Sequence, residues 1–229
     1  ISKHMKAMKT SRRNFWIIVL ILIISTVFSG CRTGENSQVK YVKPDNSWLE
    51  EITVAQLQDG YRTGKFTVKQ VVSAYLDRIN EIDKNGPMLN SIIKINPDAL
   101  QIAGEIDREI ASVKFRGRLF GVHVVIKDNI GTHDKMPTTA GATALRNSFP
   151  ASDSPVARKL REAGAIIIGK ANLSEWANFR STVSTSGWSG VGGLTKNPYV
   201  LARKPCGSSS GAGVAVSANL CVLAIGTET

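Results

Sequence analysis

The chain has 229 residues, 42% of them hydrophobic and 21% charged, the balance of a globular protein with one good-sized domain or two small ones. Its net charge of +11 does not mark a nucleic-acid binder. Lys3, Lys6, Lys9, Arg12 and Arg13 supply five of those charges, six remain on the rest, and no basic stripe with interleaved aromatics is present.

The chain opens with a basic stretch over 3–13 that contains no acid, followed by the apolar run "FWIIVLILIISTVF", Phe15 to Phe28. That run suits the hydrophobic region of a secretory signal and is short for a bilayer span, which takes about 20 residues. "FSGC" closes it, and small residues just before Cys31 resemble a bacterial lipobox. The expectation is a lipoprotein-type export signal over 1–30 with a lipid on Cys31. A tether over 31–50 would then hold an incomplete domain, 51–229, at the periplasmic or cell-surface side of a bacterial membrane. An uncleaved anchor is the alternative. "SRRNF" also resembles a twin-arginine export signal, although so apolar a run favours the general secretory route. With Cys31 lipidated, Cys206 and Cys221 remain, and the expectation for both is a buried free thiol rather than a disulfide.

Thr53 and Gln56 form a capping-box pattern that opens a short helix. After Thr67, apolar residues at 68, 71, 72, 75, 76, 79 and 82 predict an amphipathic helix ending near "KNGP". Asn96 and Pro97 read as the N-cap and first residue of a helix through Leu100, Ile106 and Ile110. "GVHVVIKDN" (121–129) alternates as a strand, a helix follows over 154–163, and "AIIIG" (165–169) is a short apolar strand. "NLSEWANF" (172–179) reads as helical and 181–213 as a long loop. "GAGVAVSANL" reads as a helix, and "CVLAIG" as a buried strand. Strands alternating with helices predict an α/β fold.

Three histidines are present, and His4 lies in the basic leader. His123 and His133 have no histidine or cysteine partner at metal-ligand spacing, so no zinc site is expected. No G-x-S-x-G elbow is present either. "GSSSGAG" lacks the G-K-[ST] of a phosphate loop. It runs straight into apolar sequence, so it is not a linker. A glycine-serine loop at a helix start gathers backbone N–H groups and hydroxyls in a small volume, which suits an oxyanion or a hydroxyl network. Lys127 ends an apolar strand, where burial would favour its neutral, basic form. The plainer reading is a strand-end lysine reaching water, and Lys170 occupies an equivalent place after "AIIIG". Asp128 points to the opposite strand face from Lys127.

Taken together, "GVHVVIKDNIGTHDKMPTTAGATAL", "NLSEWANFRSTVSTSGWSGVGGLTKNP" and "PCGSSSGAGVAVSANLCVLAIGTET" resemble the amidase signature family, its peptide-amidase-like branch above all. The similarity begins near Ile52 and reaches the last residue. It implies an amidase signature fold, a mixed central β-sheet flanked by helices on both faces and truncated here. It also implies hydrolysis of a carboxamide C–N bond through a serine, cis-serine and lysine relay with an acyl-enzyme and no cofactor. By the resemblance Lys127 is the lysine of the "KDN" motif. Ser208 is the cis-serine, joined to Gly207 by the cis peptide, with Ser209 as the other possible register and otherwise a supporting hydroxyl. Thr229 would begin the oxyanion hole, and the nucleophilic serine would lie three residues beyond it.

His123 departs from the family, which usually has proline there. The resemblance also implies that about half of the usual domain is absent, so this piece alone would be inactive and unstable. The implied partners are a small-molecule or peptide amide and, through Cys31, a membrane. The alternatives are a truncated, catalytically inactive amidase-like lipoprotein and an amidotransferase A subunit that works on charged transfer RNA. An export signal argues against the latter.

Overall fold

The computed structural model of the chain describes residues 45–112 and 115–228. The expected export signal over 1–30, Cys31 and Thr229 lie outside them.

Helix α1 spans Val54–Thr63 and α2 spans Val68–Arg78. Both begin with complete capping boxes. Thr53 and Thr67 accept from the N–H of Gln56 and Gln70, whose side chains answer the cap N–H groups. Gly64 ends α1 in the left-handed conformation. A π-helical turn, Ile79–Asn85, continues α2. Within it the buried Asp83 turns inward and accepts from Ser91 N at 2.6 Å, Ser91 Oγ at 2.5 Å and Ile92 N at 3.2 Å. Those bonds fix the start of strand β1, Ile92–Ile95.

Helix α3, Ala99–Ala111, starts later than the sequence suggests. Asp98 is its N-cap position and makes no side-chain cap bond, while the Asn96 side chain caps the turn just before it. The Asn96 amide donates to Ile167 O at 2.8 Å and its oxygen accepts from Asp98 N. Strand β2 is His123–Lys127, α4 is Pro155–Glu162 and β3 is Ile166–Ala171. Strands β4, Trp188–Ser189, and β5, Gly193–Leu194, make a small hairpin inside the predicted loop. Helix α5 is Ser210–Ser217, and β6 is Leu223–Ile225.

The main sheet runs β1-β3-β2-β6. β2 is parallel to both β3 and β6, and β1 is antiparallel to β3. The sheet is therefore mixed, with helices on both faces. Val125, Ile166, Ile168 and Ala171 pack with α1, α2, α3 and α5, whereas Val124, Ile126 and Ile167 pack with Ala157 and Leu160 of α4. All five residues of β2 are buried, the pattern of a parallel strand covered on both sides. β6, expected to be a buried strand, is only half-buried.

Two further expectations are corrected, and one strand is additional to those expected. Residues 172–179 are not a helix. Only a 3₁₀ turn, Glu175–Asn178, forms, and Trp176, Ala177 and Asn178 hold positive φ because long-range hydrogen bonds to Ala140 O and Ser208 O redirect the backbone. Strand β1 was not read from the sequence at all. Cys206 is exposed rather than buried, while Cys221 is buried, and both are free thiols.

Candidate active site

Lys127 ends β2 on the face that α5 covers. It is fully buried, and its Nζ lies 2.6 Å from Ser208 Oγ. It also donates to Thr227 Oγ1 at 2.8 Å and to Thr227 O at 3.3 Å. A neutral amine has two N–H groups and one lone pair. The partner set matches that inventory: a carbonyl and a hydroxyl of Thr227 take the two N–H groups, and the Ser208 hydroxyl can donate to the lone pair. Burial pushes the Lys127 pKa down, and the Glu228 carboxylate opposes the shift without reversing it. Among the described residues its hydrogen-bond partners are hydroxyls and a carbonyl, none of which holds the proton on as a paired carboxylate does.

Ser208 sits just before α5. The Gly207–Ser208 peptide is cis, and Ser208 O accepts from Ser174 N at 2.9 Å. Gly207 leaves room for Ser174. A Cβ there would fall 2.5 Å from Ser174 Oγ, which also accepts from Gly187 N at 2.9 Å. Gly211 lets α5 rest on the end of β3, since a Cβ there would fall 2.2 Å from Ser91 O and 2.5 Å from Asn172 N. The next residue after Ser208, Ser209, faces Thr227. Its hydroxyl accepts from Thr227 N at 3.2 Å and donates to Thr227 O at 3.1 Å. The structure thus brings Lys127, Ser208 and Ser209 together around Thr227.

Thr227 and Asn129 were missed in the sequence. Asn129 Nδ2 donates to Thr227 Oγ1 at 3.1 Å. A period-2 reading carried past Lys127 would have placed Asn129 on the same face. Thr227 is the first polar residue after β6 apart from Gly226, and it enters the site because β6 pairs with β2 in register, Ile225 beside Ile126.

Lys170 is not in this cluster. Its Nζ donates to Ile130 O at 2.6 Å and Thr138 Oγ1 at 2.8 Å, and it stands 3.9 Å from Asp128 Oδ1. Burial lowers its pKa to about 8, against the pull of Asp128. His123, at the other end of β2, is fully buried with its ring centroid 4.1 Å from that of Tyr75. Neither ring nitrogen has a polar partner among the described residues, and burial pushes the imidazole pKa down to about 3. His133 is exposed and its ring contacts Pro150 O. Among the described residues no group of three or more His, Cys, Asp or Glu is placed to hold a metal. A groove of about 370 Å³, lined by Tyr199, Cys206, Ser209, Ser210 and Val214 among others, lies beside α5, but neither Lys127 nor Ser208 lines it.

Comparison with known proteins identifies the family. A family model described as Amidase matches residues 70–229. A probable amidase of Arabidopsis thaliana is 42% identical over 214 residues, 93% of this chain and 40% of the relative. The native peptide amidase from Stenotrophomonas maltophilia superposes with a TM-score of 0.76 at 49% identity, over 78% of this chain and 36% of that one. The glutamyl-tRNA(Gln) amidotransferase A subunit from Alkaliphilus metalliredigens is 37% identical over 182 residues, 79% of this chain and 35% of the relative. The chain therefore spans between 35% and 40% of the length of these three relatives. With a family model over most of its length and this likeness in sequence and fold, the chain belongs to the amidase family.

Proposed function

We propose that this chain carries the proton-relay half of an amidase that hydrolyses a carboxamide C–N bond, in an exported, lipid-anchored protein. The observation that carries the reading is the 2.6 Å approach of the buried Lys127 Nζ to Ser208 Oγ, with the lysine pKa held down by burial. On this reading neutral Lys127 accepts the Ser208 proton while Ser208 accepts one from a nucleophilic serine, expected three residues after Thr229. The nucleophile adds to the amide carbonyl. Collapse of the adduct breaks the C–N bond, and the relay returns a proton to the departing amine. Water then adds to the acyl-enzyme and releases the acid. Backbone N–H groups from Thr229 onward serve the oxyanion, where one donor contributes about 3–4 kcal/mol. Thr227, clamped by Ser209 and Asn129, orients the lysine.

Export and anchoring are supported by the order of the first 31 residues: a basic stretch, an apolar run, small residues and Cys31. An amidotransferase role fits less well, because the similarity to that relative is lower and the leader favours export.

The test is hydrolysis of a peptide amide and an aryl amide by the protein expressed from its complete reading frame. Lys127→Ala and Ser208→Ala should each lower kcat by roughly 10³-fold or more with small effects on KM. Turnover that survives both substitutions would sink the proposal. Fatty-acid labelling that is lost in Cys31→Ala tests the anchor.

A further inference from the structure

β2 and β3 each carry one fully buried lysine at their C-terminal ends, on adjacent strands. Their neighbours differ. Val124 stands beside Ile167, but Val125 stands beside Gly169, so β3 carries one extra residue at Ile168. That bulge reverses the side-chain alternation. Lys170 pairs with Ile126 on the α4 face, and Ala171, not a lysine, stands beside Lys127. Asp128, the residue after Lys127, also lies on the α4 side. Its carboxylate accepts from Thr139 N and Oγ1 and faces the Lys170 ammonium. Asp128 Oδ1 has no hydrogen-bond partner among the described residues, so its compensation there is the Lys170 charge at 3.9 Å.

We propose that Lys170 and Asp128 act as positioning residues for Lys127. Their buried ion pair on the reverse face of the sheet neutralises the carboxylate next to the relay lysine and so governs how readily Lys127 takes a proton. Asp128 follows Lys127 directly in the chain, and the buried sheet between their side chains is a low-dielectric medium in which an uncompensated charge is felt strongly. Other charges face the two lysines. Asp134, Asp153 and Arg161 act on Lys170 from the loop after β2 and from α4, Lys94 is its partner residue on β1, and Glu228 acts on Lys127. Arg161 is already bridged to Asp134 at 2.7 Å and to Asp153 at 3.0 Å, and Lys94 is exposed. That leaves Asp128 as the carboxylate in salt-bridge range of Lys170.

The role of Lys127 as a base belongs to the proposed amidase function, but its protonation can be read without turnover. NMR titration of protein labelled with [ε-13C]lysine gives the Lys127 midpoint, assigned by loss of its signal in Lys127→Met. Lys170→Met should raise that midpoint by about one pH unit, a tenfold change in the neutral fraction. Asp128→Asn should lower it by a similar amount, and the double variant should return it near the wild-type value. Structural damage alone gives no such opposite signs. A midpoint unmoved in both single variants overturns the inference whatever the protein hydrolyses. If Lys170→Met does not fold, Asp128→Asn alone decides, since a downward shift supports the inference and no shift refutes it. In an active enzyme the acid limb of kcat/KM should follow the same order, so a limb that ignores Lys127 while the midpoints move refutes the amidase reading only.

Discussion

His123 makes acid stability the sharpest test of the packing. The imidazole is fully buried against Tyr75, neither nitrogen has a hydrogen-bond partner among the described residues, and burial pushes its pKa from 6.5 to about 3. A group whose folded pKa lies below its unfolded one binds its proton first in the unfolded chain. Its contribution is therefore fully present above pH 6.5 and is lost as the pH falls from 6.5 to about 3. At about 1.4 kcal/mol per pH unit, the complete loss is about 5 kcal/mol, and about 2 kcal/mol of it is gone by pH 5. That is a large part of a domain stability of about 5–15 kcal/mol. His123→Leu removes the titration and the two unpartnered nitrogens while losing the ring contact with Tyr75. It should leave stability at pH 7.5 unchanged or about 1 kcal/mol higher. The assay is urea unfolding of both proteins at pH 7.5, 6.5, 5.5 and 5.0. Titrating carboxylates are common to both and cancel in the difference, so the gap should widen by about 2 kcal/mol across the series. Parallel curves would refute the reasoning, as would an imidazole NMR titration near pH 6.5 in the folded protein.

Three further outcomes follow from close contacts and buried bonds. Gly211→Ala drives a methyl group into Ser91 O and the Asn172 backbone, and should cost about 3 kcal/mol in denaturant titrations while displacing α5 and with it Ser208. Asp83→Ala strands Ser91 N, Ser91 Oγ and Ile92 N and removes the Lys84 ion pair at 3.0 Å, for a loss of about 3–5 kcal/mol in the same titrations. Ser209→Ala removes the hydroxyl that holds both backbone groups of Thr227, leaving its carbonyl to Lys127. In amide-hydrolysis assays it should lower kcat roughly tenfold with little change in KM, since Thr227 orients the lysine rather than the substrate.

The helices were legible where local chemistry decides them. Thr53 and Thr67 each satisfy a backbone donor three residues on, and Ser154 with Pro155 starts α4 in the same local way. Strand β1 was not legible because its stability comes from β3, some 75 residues away along the chain, and from the Asp83 carboxylate of the preceding π turn. The stretch 172–179 has helical spacing, yet Ser174 N is drawn to Ser208 O and Trp176 N to Ala140 O, partners that local propensity does not contain. The site shows the same division. Lys127 and Lys170 end similar apolar strands, and the sequence left them as rivals. The bulge at Ile168 separates them, and a bulge is a property of two strands paired, not of either alone.

Ser174 and Gly187, joined by one hydrogen bond at 2.9 Å, stand at the two ends of residues 175–186 and both abut the Gly207–Ser208 peptide. The segment between them is a loop with a stapled base. Phe179 and Val183 are almost wholly exposed on it. Closing such a loop costs little more when it lengthens, because the entropy grows only with the logarithm of its length. Residues 175–186 can therefore change in sequence or size while the staple keeps Ser208 where Lys127 can reach it. That makes this turn of chain the natural place for the fold to vary what it meets without retuning the relay beneath.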